Sequence, residues 1–182
     1  PAFYVDDYGA DPTGATYSDT AVAAARAAMG TKKGILVFGA GTYKLANAIG
    51  TFAAGQSVEG QGSGATIIDF RGSSSGPFTW REASEALASP QGSARFTGVT
   101  VYGWNAGDNA WGLRYGDIGQ FTTRDLYIVG FGGTGSKGLW GDNRYSWSER
   151  SQIQAWVEKC TECAVFENNT GYDVDTAGSF DY

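Results

Sequence analysis

The chain has 182 residues, a formal net charge of −6 and no histidine. That length holds one domain with a sizeable core. The negative balance argues against a nucleic-acid groove, which needs clustered Lys and Arg, and against binding to an anionic membrane surface. Without His, neither a Ser-His-Asp nor a Cys-His nucleophile system can exist within the chain. The commonest general base and transition-metal ligand is also missing.

With 28 Gly against 4 Pro, and aromatics at 14% of residues, an all-β protein with many tight turns is expected, not a helical bundle. No apolar run approaches the length of a membrane span, so no membrane insertion is expected. The chain opens on Pro1 and passes straight into strand-like residues, so no signal peptide is expected. A start without Met points to a processed or truncated chain.

Phe3 to Leu45 is the stretch with the clearest element types. Val5 to Tyr8 read as extended. Gly9-Ala10-Asp11-Pro12-Thr13-Gly14 is turn chemistry, with Pro setting φ and Gly free to take positive φ. Ser18, Asp19 and Thr20 each offer an N-cap oxygen. The following AVAAARAAMG predicts an Ala-rich helix of about three turns. Val22, Ala25, Ala28 and Met29 fall on one narrow, small-residue face, which suits close packing on a sheet or on the open end of a β stack. Gly30 suits the C′ position. A short strand ILVF, a Gly39-Ala40-Gly41 turn and a strand TYKL complete the stretch.

Short β pieces such as QSVEG and ATIIDF follow, separated by Gly and Ser. Residues 71–94, with one or two helical turns over REASEALA, read as an excursion from an otherwise repetitive array. The later sequence is self-similar. A small residue followed by an aliphatic one recurs at Ala86-Leu87, Gly112-Leu113, Gly138-Leu139 and Ala164-Val165, at a spacing of 26. Gly116-Asp117 and Gly141-Asp142 lie 25 apart, as do Phe96-Thr97 and Phe121-Thr122, and Val101-Tyr102 and Leu126-Tyr127. A period of this size in a β-rich chain marks a solenoid, whose coils bury their apolar faces only by stacking. About five or six coils fit after the opening stretch.

Val5-x-Asp7-Tyr8-Gly9-Ala10, Gly14, Asp19-Thr20-x-Val22, Gly34-x-Leu36-x-Phe38 and Gly41-x-Tyr43 resemble the N-terminal signature of the pectate-lyase-like right-handed β-helix superfamily, as found in bacteriophage tailspikes and tail fibres and in polysaccharide-degrading enzymes. Two positions depart from it. Gly39 stands where the family usually has Pro, and Ser18 where it often has a second Asp. The close match covers about 40 residues and carries no catalytic residue; it implies architecture, not activity.

The implied fold is an all-β, right-handed parallel β-helix with an N-terminal capping α-helix. Residues 1–45 would be cap and first coil, and 46–182 further coils that continue beyond the chain. The resemblance also implies a homotrimer, assembled with other virion tail proteins and located in a virion tail or outside the cell.

Candidate sites stand beside plainer alternatives. Trp104, Trp111, Trp140, Trp147 and Trp156 lie in the coil region, several of them beside Gly or Asn in expected turns. A coil core favours Val, Ile and Leu, so such rings are expected outside, where they can stack on sugars. Trp104, Trp111, Trp140 and Trp147 are the glycan-binding candidates; the alternative is a trimer seam or core filler. Asp117 and Asp142, one coil apart, are the catalytic candidates, as the acid and nucleophile of a retaining glycosidase or, alternatively, as calcium ligands. Gly-Asp is equally a turn dipeptide. For a lyase, Arg71, Arg114 and Lys137 are the available bases. Asp69 reads as an outward residue of a strand, and Asn168-Asn169 as a corner ladder or an exposed turn.

Cys160 and Cys163 form a CxxC in a strand-turn-strand setting, and read as small buried or turn residues or as a disulfide across the turn. No cofactor is expected. The functional expectation is a tail-fibre or tailspike adhesion module that contacts host surface polysaccharide. The alternative is a polysaccharide lyase or glycoside hydrolase.

Overall fold

The computed structural model describes residues 1–81, 93–116, 118, 120–142 and 152–167. In chain order it has β1 (Ala2–Tyr4), a 3-10 turn (Val5–Tyr8), β2 (Thr13–Tyr17), α1 (Asp19–Met29), β3 (Gly34–Val37) and β4 (Gly41–Leu45). Then come β5 (Thr51–Phe52), β6 (Gln56–Glu59), β7 (Thr66–Phe70), β8 (Phe78–Arg81), β9 (Ser93–Tyr102), β10 (Trp111–Gly116), β11 (Gln120–Val129), β12 (Lys137–Asp142), β13 (Ala155–Glu158) and β14 (Glu162–Glu167). The helix, the two strands after it and the Gly turn between them lie where expected, but Val5–Tyr8, expected extended, form a 3-10 turn closed by the Gly9 amide on the Asp6 carbonyl, and Thr13–Tyr17 is a strand that was not expected. Cys160 lies between β13 and β14 and Cys163 within β14.

The pairings between these strands are parallel. They sort into three faces. The first runs β1, β3, β6 and the early halves of β9 and β11. The second runs β2, β4, β7, the late halves of β9 and β11, and β13. The third runs β5, β8, β10, β12 and β14. Each step along a face moves to a later coil, which is the pattern of a parallel β-solenoid. Among the described residues no helix is long and apolar enough to cross a membrane.

β9 and β11 each turn the corner between the first two faces without a break. Gly98 makes that turn in β9 with φ +68, and Asp125, level with it on the next coil, takes φ +49 in β11. A side chain at Gly98 would meet the Gly60 carbonyl at 2.8 Å and the Gly62 amide at 3.0 Å. The corner therefore holds Gly for space as well as for its positive φ.

One inward ladder per face builds the core. Leu36, Val58 and Phe96 line up on the first face. Tyr43, Ile68, Val101 and Ile128 do so on the second, and Phe78, Leu113 and Leu139 on the third. All are buried. The core is more aromatic than a Val/Ile/Leu stack. Phe38, Phe52, Phe78, Trp80, Phe96, Phe121 and Phe131 are wholly enclosed, so a Trp in this chain is not by that fact an outside residue.

α1 packs on β1, β3 and the 3-10 turn. Its buried face is Ala21, Val22, Ala25 and Met29. Ala28, expected on that face, is exposed, and Ala21 takes its place. Ser18 is the N-cap residue but makes no side-chain cap bond. Its hydroxyl accepts instead from the Asp11 amide at 3.0 Å. The Asp19 carboxylate turns away to accept from the Ala46 and Asn47 amides at 3.1 and 2.7 Å, tying the helix start to the end of β4. At the other end buried Gln56 gathers the helix terminus. Its amide donates to the carbonyls of Gly30 (2.8 Å) and Lys32 (3.1 Å), and its oxygen accepts from Arg26 (3.0 Å) and the Ala53 amide (3.0 Å). The buried Gln56 amide thus has both its nitrogen and its oxygen doubly bonded, which is what makes its burial favourable.

The register sharpens the repeat reading. Leu113 pairs with Leu139, an offset of 26, as expected. Leu139 then pairs with Ala164, so the fourth motif is one residue out of step. Ala86-Leu87 lie outside the described residues, and Leu113 pairs with Phe78 of β8. β8 itself falls within 71–94, so part of the expected excursion is a strand of the third face. Phe121 pairs with Ala94 and Leu126 with Val99, an offset of 27 where 25 was expected. The two-residue discrepancy preserves strand parity, so Phe96 and Phe121 both still point inward.

Candidate functional site

The outer side of the second face carries an open groove of about 740 Å³. The register places Ile67, Thr100, Tyr127 and Trp156 at one level on four successive coils. Strand alternation turns this level away from the Ile68–Val101–Ile128 ladder. Trp156 is 63% exposed, while Tyr102 and Tyr127 are half-buried. The three rings share the groove with Ser63, Gln154 and Asp125.

Two carboxylates hold this surface in place. Asp125 reaches over the side-chain-free notch of Gly98 to Ser63, accepting from its amide at 2.9 Å and its hydroxyl at 2.5 Å. These two bonds hold its carboxyl below the usual range, against a small opposing effect of burial. Thr100 donates its hydroxyl to the Ser63 carbonyl at 2.5 Å, so the Ser63 loop is fixed from both sides.

At the other end Glu158 accepts from the Tyr127 hydroxyl and, at 3.2 Å, from Trp156 Nε1. The hydrogen bond from Tyr127 is the main reason the Glu158 carboxyl lies below its ordinary range. The same bond pushes Tyr127 up to about 12. Glu158 therefore orients both rings. Lys159 Nζ lies 3.7 Å from Glu158 and 5.8 Å from the centre of the Trp104 ring.

The Trp104 ring, 56% exposed, lies over Gly130 beyond the end of β9. Among the described glycan-binding candidates it is the one whose ring has Lys159, the chain neighbour of Glu158, beside it. Trp111 and Trp140 lie on the third face, half-buried, with ring centres 5.5 Å apart at 75°. The Arg114 guanidinium sits 3.8 Å from the Trp140 centroid and 5.5 Å from that of Trp111. Lys137 Nζ is 5.0 Å from the Trp140 centroid. The protein's own cations thus already use these rings. Trp147 lies outside the described residues, as do Asn168 and Asn169.

Asp142, at the end of β12, is 4% exposed. Arg81 reaches it at 2.5 Å and Arg114 also pairs with it. Burial raises its pKa, but the hydrogen bonds and charges of the two guanidiniums outweigh that and leave it below the ordinary value. Asp117 lies outside the described residues. Tyr115 pairs with Gly141, so the residue level with Asp142 is Gly116, one place short of the stacked pair expected from the spacing.

Asp69 is ion-paired to Arg71 at 2.7 Å. Cys160 and Cys163 are free thiols, and burial raises Cys160 to about 11. Among the described residues no group of three or more His, Cys, Asp or Glu converges as a metal site would.

No family model matches the chain and no curated protein matches its sequence. Among solved structures it superposes on ORF18 of Geobacillus virus E2 with a TM-score of 0.60 and 19% identity, over 78% of this chain and 28% of that one. The likeness is one of fold. The catalytic unit of a thermostable GH87 α-1,3-glucanase from Streptomyces thermodiastaticus gives a TM-score of 0.43 and 16% identity, over 79% and 31% of the two chains. That second score is too low to establish a common fold. The chain spans less than a third of either protein's length.

Proposed function

We propose that the chain is part of a virion-associated tail-fibre or tailspike protein that contacts host surface glycans through the second-face groove. In this reading the solenoid is a right-handed β-helix of the pectate-lyase-like kind, α1 covers its N-terminal end, and three copies associate. The observation that carries the glycan contact is the groove itself. Trp156, Tyr127 and Tyr102 give rings on successive coils, Glu158 and Asp125 give fixed carboxylates beside them, and Gln154 adds an exposed side-chain amide. Aromatic faces with a few oriented polar groups are what a sugar, apolar on its ring faces and hydroxylated at its edges, requires. The shared fold with a viral protein supports the virion setting.

Intrinsic tryptophan fluorescence, titrated with polysaccharides extracted from candidate bacterial surfaces, tests the site. Trp156→Ala is expected to weaken binding by at least about tenfold, as loss of an aromatic anchor does. Retained affinity in that variant would move the site elsewhere. Light scattering is expected to give a mass near three times the 19.2 kDa chain; a monomeric mass would count against the fibre reading.

The alternative, a polysaccharide lyase or glycoside hydrolase, is less well served by the groove. A general acid needs a carboxyl kept protonated near neutral pH, whereas Asp125 and Glu158 are both held ionised by donors. New reducing ends released from a bound polysaccharide would favour it.

A further inference from the structure

We infer that the groove takes a neutral glycan chain laid along the solenoid axis and discriminates against acidic ones such as uronate polymers. This rests on the glycan-binding reading above and adds a substrate class to it. Tyr127 and Trp156 occupy the same level on neighbouring coils, and Tyr102 stands two residues further along its strand on the coil before them. Neighbouring strands lie about 4.8 Å apart, close to the length of one pyranose ring, so an axial chain can present one sugar to each coil.

Charge sets the class. Asp125 is the one charged side chain among the described residues that line the groove. It is tied to Ser63 and cannot swing away without breaking two hydrogen bonds. Glu158 adds a second fixed negative charge beside Trp156. No cation is among the described lining residues: Arg71 pairs with Asp69, Lys159 Nζ lies 3.7 Å from Glu158 next to Trp104, and exposed Arg124 adjoins Asp125 in the chain but is not part of the lining. Recognition of a sugar carboxylate calls for an Arg or Lys fork aimed into the site. The described lining offers a carboxylate in that place, which acts as a repulsive element against an anionic chain.

The test titrates the full chain with dextran, mannan and a mixed β-glucan, each beside its carboxymethylated form, at low and high salt. For the neutral probe that binds, the carboxymethylated form is expected to bind about tenfold more weakly at low salt, the gap narrowing as salt screens the charges. Asp125→Asn keeps the size and the acceptor oxygen and removes the charge. It is expected to cut the neutral-to-acidic ratio to about threefold or less. Equal or tighter binding of the acidic forms by the wild type, or a ratio unmoved in a folded Asp125→Asn protein, overturns the inference. Should that variant not fold, the wild-type salt series decides alone: a gap that does not narrow with salt also overturns it. Absence of binding to every probe, with Trp156→Ala indistinguishable from wild type, overturns the glycan-binding reading itself.

Discussion

Replacing Trp80 by Ala is expected to destabilise the protein by about 3–5 kcal/mol, the range for removing a large enclosed aromatic. Trp80 is wholly buried on β8 and joins coils rather than filling one. Its ring stacks on Phe52 at 4.8 Å from the preceding strand of the third face. It also meets Phe121 at 5.1 Å and Phe96 at 5.4 Å from the first face. Its Nε1 donates to the Gln56 carbonyl at 2.8 Å. Gln56 is also the residue whose side chain holds the C-terminal end of α1. Truncation therefore opens a cavity across several coils and orphans a buried carbonyl at the base of the helix attachment. Trp80→Phe keeps most of the stacking and loses mainly the indole hydrogen bond, so its cost should be smaller, about 1–2 kcal/mol. Urea unfolding of the three proteins separates these terms. Near-wild-type stability in Trp80→Ala would mean that the coils are held by other contacts.

The comparison of Trp80 with Trp156 shows how far the sequence could be read. Both are Trp on short β runs, yet one is enclosed and the other is 63% exposed. Strand alternation alone does not decide which parity faces in unless a neighbouring ladder is known. The opening stretch was legible because its signals are local: an Ala-rich helix, a Gly turn, two short apolar runs. Its departures are small ones: Ala21 rather than Ala28 joins the narrow buried face of the helix, Val5–Tyr8 form a 3-10 turn instead of an extended piece, and Thr13–Tyr17 add a strand.

The groove was not legible, for a physical reason. Thr100, Tyr127 and Trp156 stand level, yet the chain takes 27 residues for the first step and 29 for the second. On the third face Trp111, Lys137 and Glu162 are reached in steps of 26 and 25. Corners absorb different numbers of residues on each coil, so no constant period lines the groove up. The candidate rings Trp111 and Trp140 were visible as residues, but Arg114 between them was not visible as their partner. That contact depends on side chains from two adjacent coils.

Asp142→Asn is the second large effect, with an expected loss of about 3–5 kcal/mol at neutral pH, because removing one charge of a buried ion cluster leaves the others uncompensated. Arg114 approaches Asp142 from β10 while its guanidinium lies 3.8 Å from the Trp140 centroid, so it is flanked by aromatic surface and has little access to water. Arg81 comes to the same carboxylate from the end of β8. An Asn there offers one oxygen, and its amide nitrogen would face a donor.

The pH dependence has a definite sign. The folded Asp142 pKa is depressed, whereas an unfolded Asp titrates near 3.9. Its contribution is therefore complete above about pH 4 and disappears as pH falls through the lower, folded value. The gap between wild type and Asp142→Asn should be widest at neutral pH and close in acid. Denaturant unfolding at pH 7 and at a series of pH values below 4 measures it. A gap independent of pH would show that the variant acts through shape rather than charge. The same clamp bears on function. Two guanidiniums that stabilise the ionised carboxylate oppose the protonation a general acid needs and weaken its oxygen as a nucleophile. Asp142 is thus better suited to joining three strands of the third face than to attacking a sugar.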